Sequence, residues 1–395
     1  MRLRDRRYVQ PTRRRNGSGC AWLVFWTIAI LVAGGYLLVQ VRLDNGIQLG
    51  RNARTPTPAL TPTPTRSVES FIRVAEEAAA RGDYRAAIDA YDRASRRRPN
   101  DPDLHRRVAR LMVFIGQPEK AEQRVRKALE IDPGHLPSRA VLCMALDWQK
   151  RIAEAVAECQ AVVAADPNYA TGHAYLAEAL ADSGDFNAAL SAAQMAVDLE
   201  PNNPDALRNL GYVYDVFGRY DTARYHYERA LERDPNMPHV LSAIGRIFYV
   251  TGRTADAIKT FQRIIEMDPQ HAEAYQQLGM VYRFIGERQK AREALDKAIE
   301  LEPTRLRALT ERALLNFQVR NYFGAVEDYT RALTITQQSG ASLSAIDYLY
   351  YGFAYRWIQE CDNARAMWAK SLELAPGDQE IRANVEAGLA ACGGR

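Results

Sequence analysis

Residues 204–237 read PDALRNLGYVYDVFGRYDTARYHYERALERDPNM. Gly211 and Ala223 are small, Gly218 stands between them, and Pro235 comes near the end. The same marks recur every 34 residues on both sides. Ala223 belongs to the series Ala87, Ala121, Ala155, Ala189, Ala257, Ala291 and Ala325, with a five-residue slip before Ala364. Proline repeats at Pro99, Pro133, Pro167, Pro201, Pro235, Pro269 and Pro303, gives way to Gln337, and returns at Pro376. A unit this short cannot bury its own apolar face. Units must therefore stack into one continuous core, and function falls to the surface that stacking creates.

Counted from Val68, each unit reads as two helices. Its eighth place is small throughout (Ala75, Ala109, Cys143, Ala177, Gly211, Gly245, Gly279, Ala313, Gly352), and its twentieth is the alanine series. Small residues on both halves let two helix backbones approach closely, while Val74, Val108, Leu142, Leu176, Leu210, Ile244 and Leu278 fill the adjoining layer. Gly82, Gly116, Gly184, Gly218, Gly252 and Gly286 mark the break between helices, and the proline ends the unit.

The length of 34 and the run Leu210, Gly211, Tyr214, Gly218, Tyr220, Ala223, Tyr227, Ala230 and Pro235 resemble the tetratricopeptide repeat. The resemblance covers nine units, over residues 67–378, and the stretch 379–395 reads as a capping helix and tail. It implies an all-α fold: a right-handed superhelical solenoid of about nine helix-turn-helix repeats, with a concave groove that holds a protein or peptide. The eighth unit departs most, because Arg312, Asn316 and Gln337 replace the usual apolar residues or proline and residues 340–344 are extra.

A second pattern precedes the array. Cys20 to Val41 is free of charge and long enough to span a bilayer as a helix. The tail 1–19 carries Arg2, Arg4, Arg6, Arg7, Arg13, Arg14 and Arg15, which predicts a cytoplasmic amino terminus and extracytoplasmic repeats. A cleaved signal peptide is the rival reading, but the apolar run continues past the small residues Ala33, Gly34 and Gly35. In the spacer 42–66, the stretch TPTPALTPTPT at 55–65 favours an extended polyproline conformation of roughly 30 Å.

The first 20 residues have a net charge of +6, leaving 45 basic and 47 acidic groups in the remaining 375. The basic balance belongs to the tail, so nucleic acid is not an expected partner. No phosphate-cradling loop, nucleophile elbow or HExxH motif is present, which argues against an enzyme and against a cofactor or metal. The six histidines are scattered and read as solvated residues. Cys143 and Cys159 read as two buried thiols, a disulfide between them being the alternative, and Cys361 and Cys392 as free.

In the first helix of each unit, places four, seven, eight and eleven form the packed stripe. Places five, nine and twelve lie about 100° around the axis. The resemblance implies that this second stripe lines the groove. It contains Arg106, Arg110, Met144, Asp147, Glu178, Arg208, Tyr212, Asp215, Arg246, Tyr249, Met280, Arg283, Phe317, Phe353 and Arg356. Arginines interleaved with aromatic and methionine side chains suit a peptide with acidic and apolar residues. Arg208 and Tyr212 depart from the family's two-carboxylate clamp. A permanent structural role in an envelope complex is the alternative function.

Overall fold

The computed structural model describes residues 67–393, together with Gly35. The predicted tail, the membrane span apart from Gly35, and the spacer 42–66 therefore lie outside the described residues. Among the described residues no helix is long and apolar enough to cross a membrane.

From Val68 onward there are 19 helices and no strand among the described residues. The first three repeats contain α1 (Val68–Ala80) and α2 (Tyr84–Ser95), α3 (Pro102–Phe114) and α4 (Pro118–Ile131), then α5 (Leu136–Trp148) and α6 (Ile152–Ala165). The next three contain α7 (Ala170–Asp182) and α8 (Phe186–Leu199), α9 (Pro204–Val216) and α10 (Tyr220–Arg233), then α11 (Pro238–Val250) and α12 (Thr254–Met267). The last three contain α13 (Ala272–Phe284) and α14 (Arg288–Leu301), α15 (Leu306–Gln318) and α16 (Tyr322–Ser339), then α17 (Ala345–Trp357) and α18 (Cys361–Leu374). The closing helix is α19 (Gln379–Gly393).

The packing follows the repeat. All nine alanines of the twentieth place are fully buried. Place eight faces place 24 of its own unit, and their sizes complement each other. Gly211 meets Tyr227 and Gly245 meets Phe261, where a Cβ on the glycine would come within 2.8 Å and 2.7 Å of the ring. Gly279 and Leu295, and Gly352 and Trp368, pair in the same way. In the third repeat these two places are Cys143 and Cys159, which form a disulfide across a Cα separation of 5.4 Å. The expectation of two thiols is thus corrected: the close helix approach at these places brings the sulfurs within bonding reach. Cys361 and Cys392 are likewise joined, at a Cα separation of 5.8 Å, because α19 runs back beside α18.

Between the two helices of every repeat, place 15 adopts the left-handed conformation. Six glycines supply it, and Lys150, Arg320 and Gln359 adopt it at φ of 63°, 62° and 68°. The eighth repeat is irregular for a visible reason. Gln337 does not terminate the helix as proline would, so α16 runs on for 18 residues to a left-handed Gly340. Arg312 and Asn316, at packed places, reach the buried Asp328, so an ionic network replaces apolar packing there.

Candidate peptide-binding inner wall

The predicted stripe falls into two environments. In the amino-terminal six repeats its charged residues are consumed by the protein itself. Arg110 donates to both carboxylate oxygens of Asp205 at 2.8 and 2.7 Å and to the Tyr175 hydroxyl at 3.2 Å. Arg208 forms a two-pronged pair with Glu178 at 2.8 and 2.7 Å, and its side chain is only 5% exposed. Arg246 binds the buried Asp215, Tyr212 donates to Asp182, and Arg106 binds Asp103. Met144 is buried. None of these six side chains presents the free group that an acidic peptide would need.

Segments far apart in the chain meet across this half. Phe114, at the end of α3, stacks on His239, near the start of α11, with ring centroids 3.9 Å apart. Asn236 donates to the Ala80 carbonyl and Arg85 to Asp268, so the first repeat sits on the junctions that follow the fifth and sixth. A reading of the histidines as solvated is corrected here. His105 is buried on the Pro99 carbonyl, His271 is buried and accepts from the Ala274 amide, and His239 is stacked. Burial and the nearby Arg208 and Arg110 hold the His239 imidazole well below its ordinary range, so it is neutral at pH 7.

Acids that the stripe alone does not contain add negative charge along this wall. Glu178 and Asp147 lie on the stripe, but Asp182, Asp205 and Glu311 stand at neighbouring places. Burial, with the adjoining Glu178 and Asp182, pushes the Asp147 carboxyl up to about 8. Burial and the same carboxylates raise the Tyr212 phenol.

The carboxyl-terminal repeats differ only past Arg283, which is still bound to the buried Glu311 at 2.8 Å. Met280 is half-buried, and so is Tyr249 of the sixth repeat, which stands edge-on to Phe284. Beyond them an open cavity of about 400 Å³ is walled by Phe317, Tyr350, Phe353, Trp357 and Ile381. Phe317 meets Tyr350 edge-on at 5.3 Å, and Tyr322 stacks on Trp357 at 5.2 Å. Arg356 lies over the Trp357 ring at 5.0 Å and forms no ion pair among the described residues. Phe353 and Arg356 are therefore brought together with Tyr350 and Trp357, aromatic residues from places six and 13, which the stripe omitted. An aromatic residue just past the end of a groove stripe is the signal that was available in the sequence.

Patterns for the tetratricopeptide repeat match residues 78–127, 116–180, 217–279 and 251–315, and a second pattern of the same description matches 176–238. No curated protein matches the chain in sequence. Among solved structures, the human IFIT1 dimer with PPP-AAAA is similar with a TM-score of 0.52 and 18% identity, covering 78% of this chain and 83% of that one. PilW, described as a widely conserved type IV pilus biogenesis factor, gives 0.49 and 17%, covering 54% and 97%. The Pseudomonas aeruginosa pilF structure gives 0.48 and 20%, covering 54% and 95%. Proteins built from this repeat generally bind other proteins or peptides, and the all-helical solenoid described above is a scaffold of that type. Regular units, their packing places and the matched patterns agree: the chain belongs to the tetratricopeptide repeat family.

Proposed function

We propose that this protein is a membrane-anchored scaffold that holds an extended peptide of a partner protein in its carboxyl-terminal inner wall, for assembly of an envelope or surface complex. The observation that carries the reading is the open aromatic cavity around Phe353 and Trp357, which is large enough for a bulky side chain and in which Arg356 forms no ion pair among the described residues, although Asp378 and Glu380 share the lining. Aromatic residues and arginine dominate binding energy at protein interfaces because they bury large area at low entropic cost. The uncharged run 20–41 and the arginine imbalance around it support an anchor with the amino terminus in the cytoplasm. Two disulfides suit an oxidising, extracytoplasmic compartment for the array. No catalytic role is proposed.

Cross-linking the full-length protein in its native membrane and identifying the captured partner tests this reading. The double variant Phe353→Ala, Trp357→Ala should lose the partner, while Arg106→Ala keeps it. Equal capture by the wild type and both variants places binding elsewhere. A permanent structural role is the second reading. It is favoured by Val216, Val250, Phe284 and Trp357, a row of exposed apolar residues at place 13 with Phe284 62% exposed. Under that reading Val250→Asp and Phe284→Asp, outside the cavity, dissociate the complex. Protease added to spheroplasts tests topology: the array should be degraded and the arginine tail protected.

A further inference from the structure

Between α5 and α13 the inner wall holds a second cavity, of about 190 Å³, that the aromatic site does not include. Its walls carry an unusual number of polar atoms with no hydrogen-bond partner. These are Asp215 Oδ1, both ring nitrogens of His239, Ser242 Oγ and Arg208 Nε. Buried polar groups in folded proteins are nearly always satisfied, so such a concentration marks a place built for something else to fill. Asp215, a residue of the cavity wall, is 3% exposed; its other oxygen already accepts from Arg246 and Tyr227, and Oδ1 is buried with no partner among the described residues.

The chemistry of the walls selects the occupant. Asp215 Oδ1 can only accept a hydrogen bond, Ser242 Oγ can accept or donate, the neutral His239 offers one acceptor and one donor nitrogen, and Arg208 Nε donates. Glu178, Asp215 and Glu273 outnumber Arg208 and Arg246 in the lining, where Glu178 pairs with Arg208, Asp215 with Arg246, and Glu273 lies 3.9 Å from Arg305 outside it. Nearby Asp182 is matched by Lys150. Trp148 and Tyr212 add aromatic walls, whose faces attract cations. Acceptors, a negative balance and aromatic faces in a space this size suit a guanidinium or ammonium group and repel a carboxylate.

We propose that this cavity takes a basic side chain, arginine or lysine, of the peptide that the scaffold holds. The proposal rests on the peptide-binding reading above and gives it a polarity: a basic residue at the central cavity and an apolar residue at the carboxyl-terminal one.

Calorimetric titration of the full-length protein with N-acetyl-argininamide tests it directly. Saturable millimolar binding is expected, weakened at least tenfold with the uncharged isostere N-acetyl-citrullinamide. Asp215→Asn should weaken the arginine probe by a similar factor, and Glu273→Gln, at a half-exposed position that tolerates change, by a smaller one. Equal binding of the citrulline probe, preference for N-acetyl-glutamate amide, or no saturation with any probe would overturn the proposal, the last leaving the cavity to water. The two readings separate cleanly. The arginine probe binding normally to the Phe353→Ala, Trp357→Ala variant shows that the cavity works whether or not the aromatic site does. Partner capture unchanged by Asp215→Asn, with no arginine binding, removes the cavity and leaves the aromatic groove standing.

Discussion

The first six repeats and the last three are built from one pattern, yet they use their inner walls in opposite ways. In the first six the wall is folded against itself through Phe114 on His239, Arg110 on Asp205 and Arg85 on Asp268. In the last three the wall stays open and aromatic around Phe317, Phe353 and Trp357. The difference teaches that a stripe of groove positions is not a list of binding residues. A charged side chain that finds a partner across the groove becomes part of the structure, and only one left without such a partner remains for a ligand.

The largest expected loss in this comparison comes from Glu178→Ala. It leaves the Arg208 guanidinium buried and unpaired, which costs about 3–5 kcal/mol. Arg356→Ala in the open half should change stability by less than about 0.5 kcal/mol. Chemical denaturation of both variants checks the contrast, and equal losses would show that the closed half is no more structural than the open one.

A pH titration sharpens it next. The Asp147 carboxyl is raised from 3.8 to about 8 in the folded protein, so the folded state holds a proton that the unfolded state releases near pH 4. The stability this contributes is fully present below pH 4 and is lost as pH rises toward 8. Asp147→Asn removes the dependence. The variant should match the wild type near pH 4 and exceed it by on the order of 6 kcal/mol at pH 9, read as melting temperature. A difference that shrinks with rising pH would refute the negative field around Asp147.

Ala223→Leu and Ala364→Leu overpack equivalent places, at a cost of about 1–3 kcal/mol each. Their reach should differ. Hydrogen exchange should spread from the fifth repeat to the first in Ala223→Leu, because the closed half couples them, and stay within the ninth repeat and α19 in Ala364→Leu. Arg85→Ala has the smallest energy, about 1 kcal/mol, since it removes one partly exposed contact to Asp268. Small-angle scattering should nonetheless report a larger radius, and an unchanged radius would mean that the closure does not depend on this pair.

Much of the local structure was legible beforehand. The helix breaks, the alanine places and the small eighth place all follow from one period, because each reports a contact inside a unit or with the next one. The site was less legible. Phe317, Phe353 and Arg356 were visible on the stripe, but Tyr350 and Trp357 stood one place off it. Arg208 and Arg246 read as ligand groups because their acids, Glu178 and Asp215, belong to the preceding repeat and were counted as separate features. The Cys361–Cys392 bridge was missed because nothing in a repeat pattern says how a capping helix returns.

By itself, then, the sequence determined the unit: its length, its two helices, its packing places and the irregular eighth member. These depend on neighbours within about one period, which the order of residues specifies directly. The tertiary structure alone decided which inner walls are free. Arg110 and Asp205 are 95 residues apart and Arg85 and Asp268 are 183 apart, and such pairs form only when small rotations at every interface add up to bring distant repeats together. That accumulated curvature belongs to no single unit, so no single unit's residues reveal it.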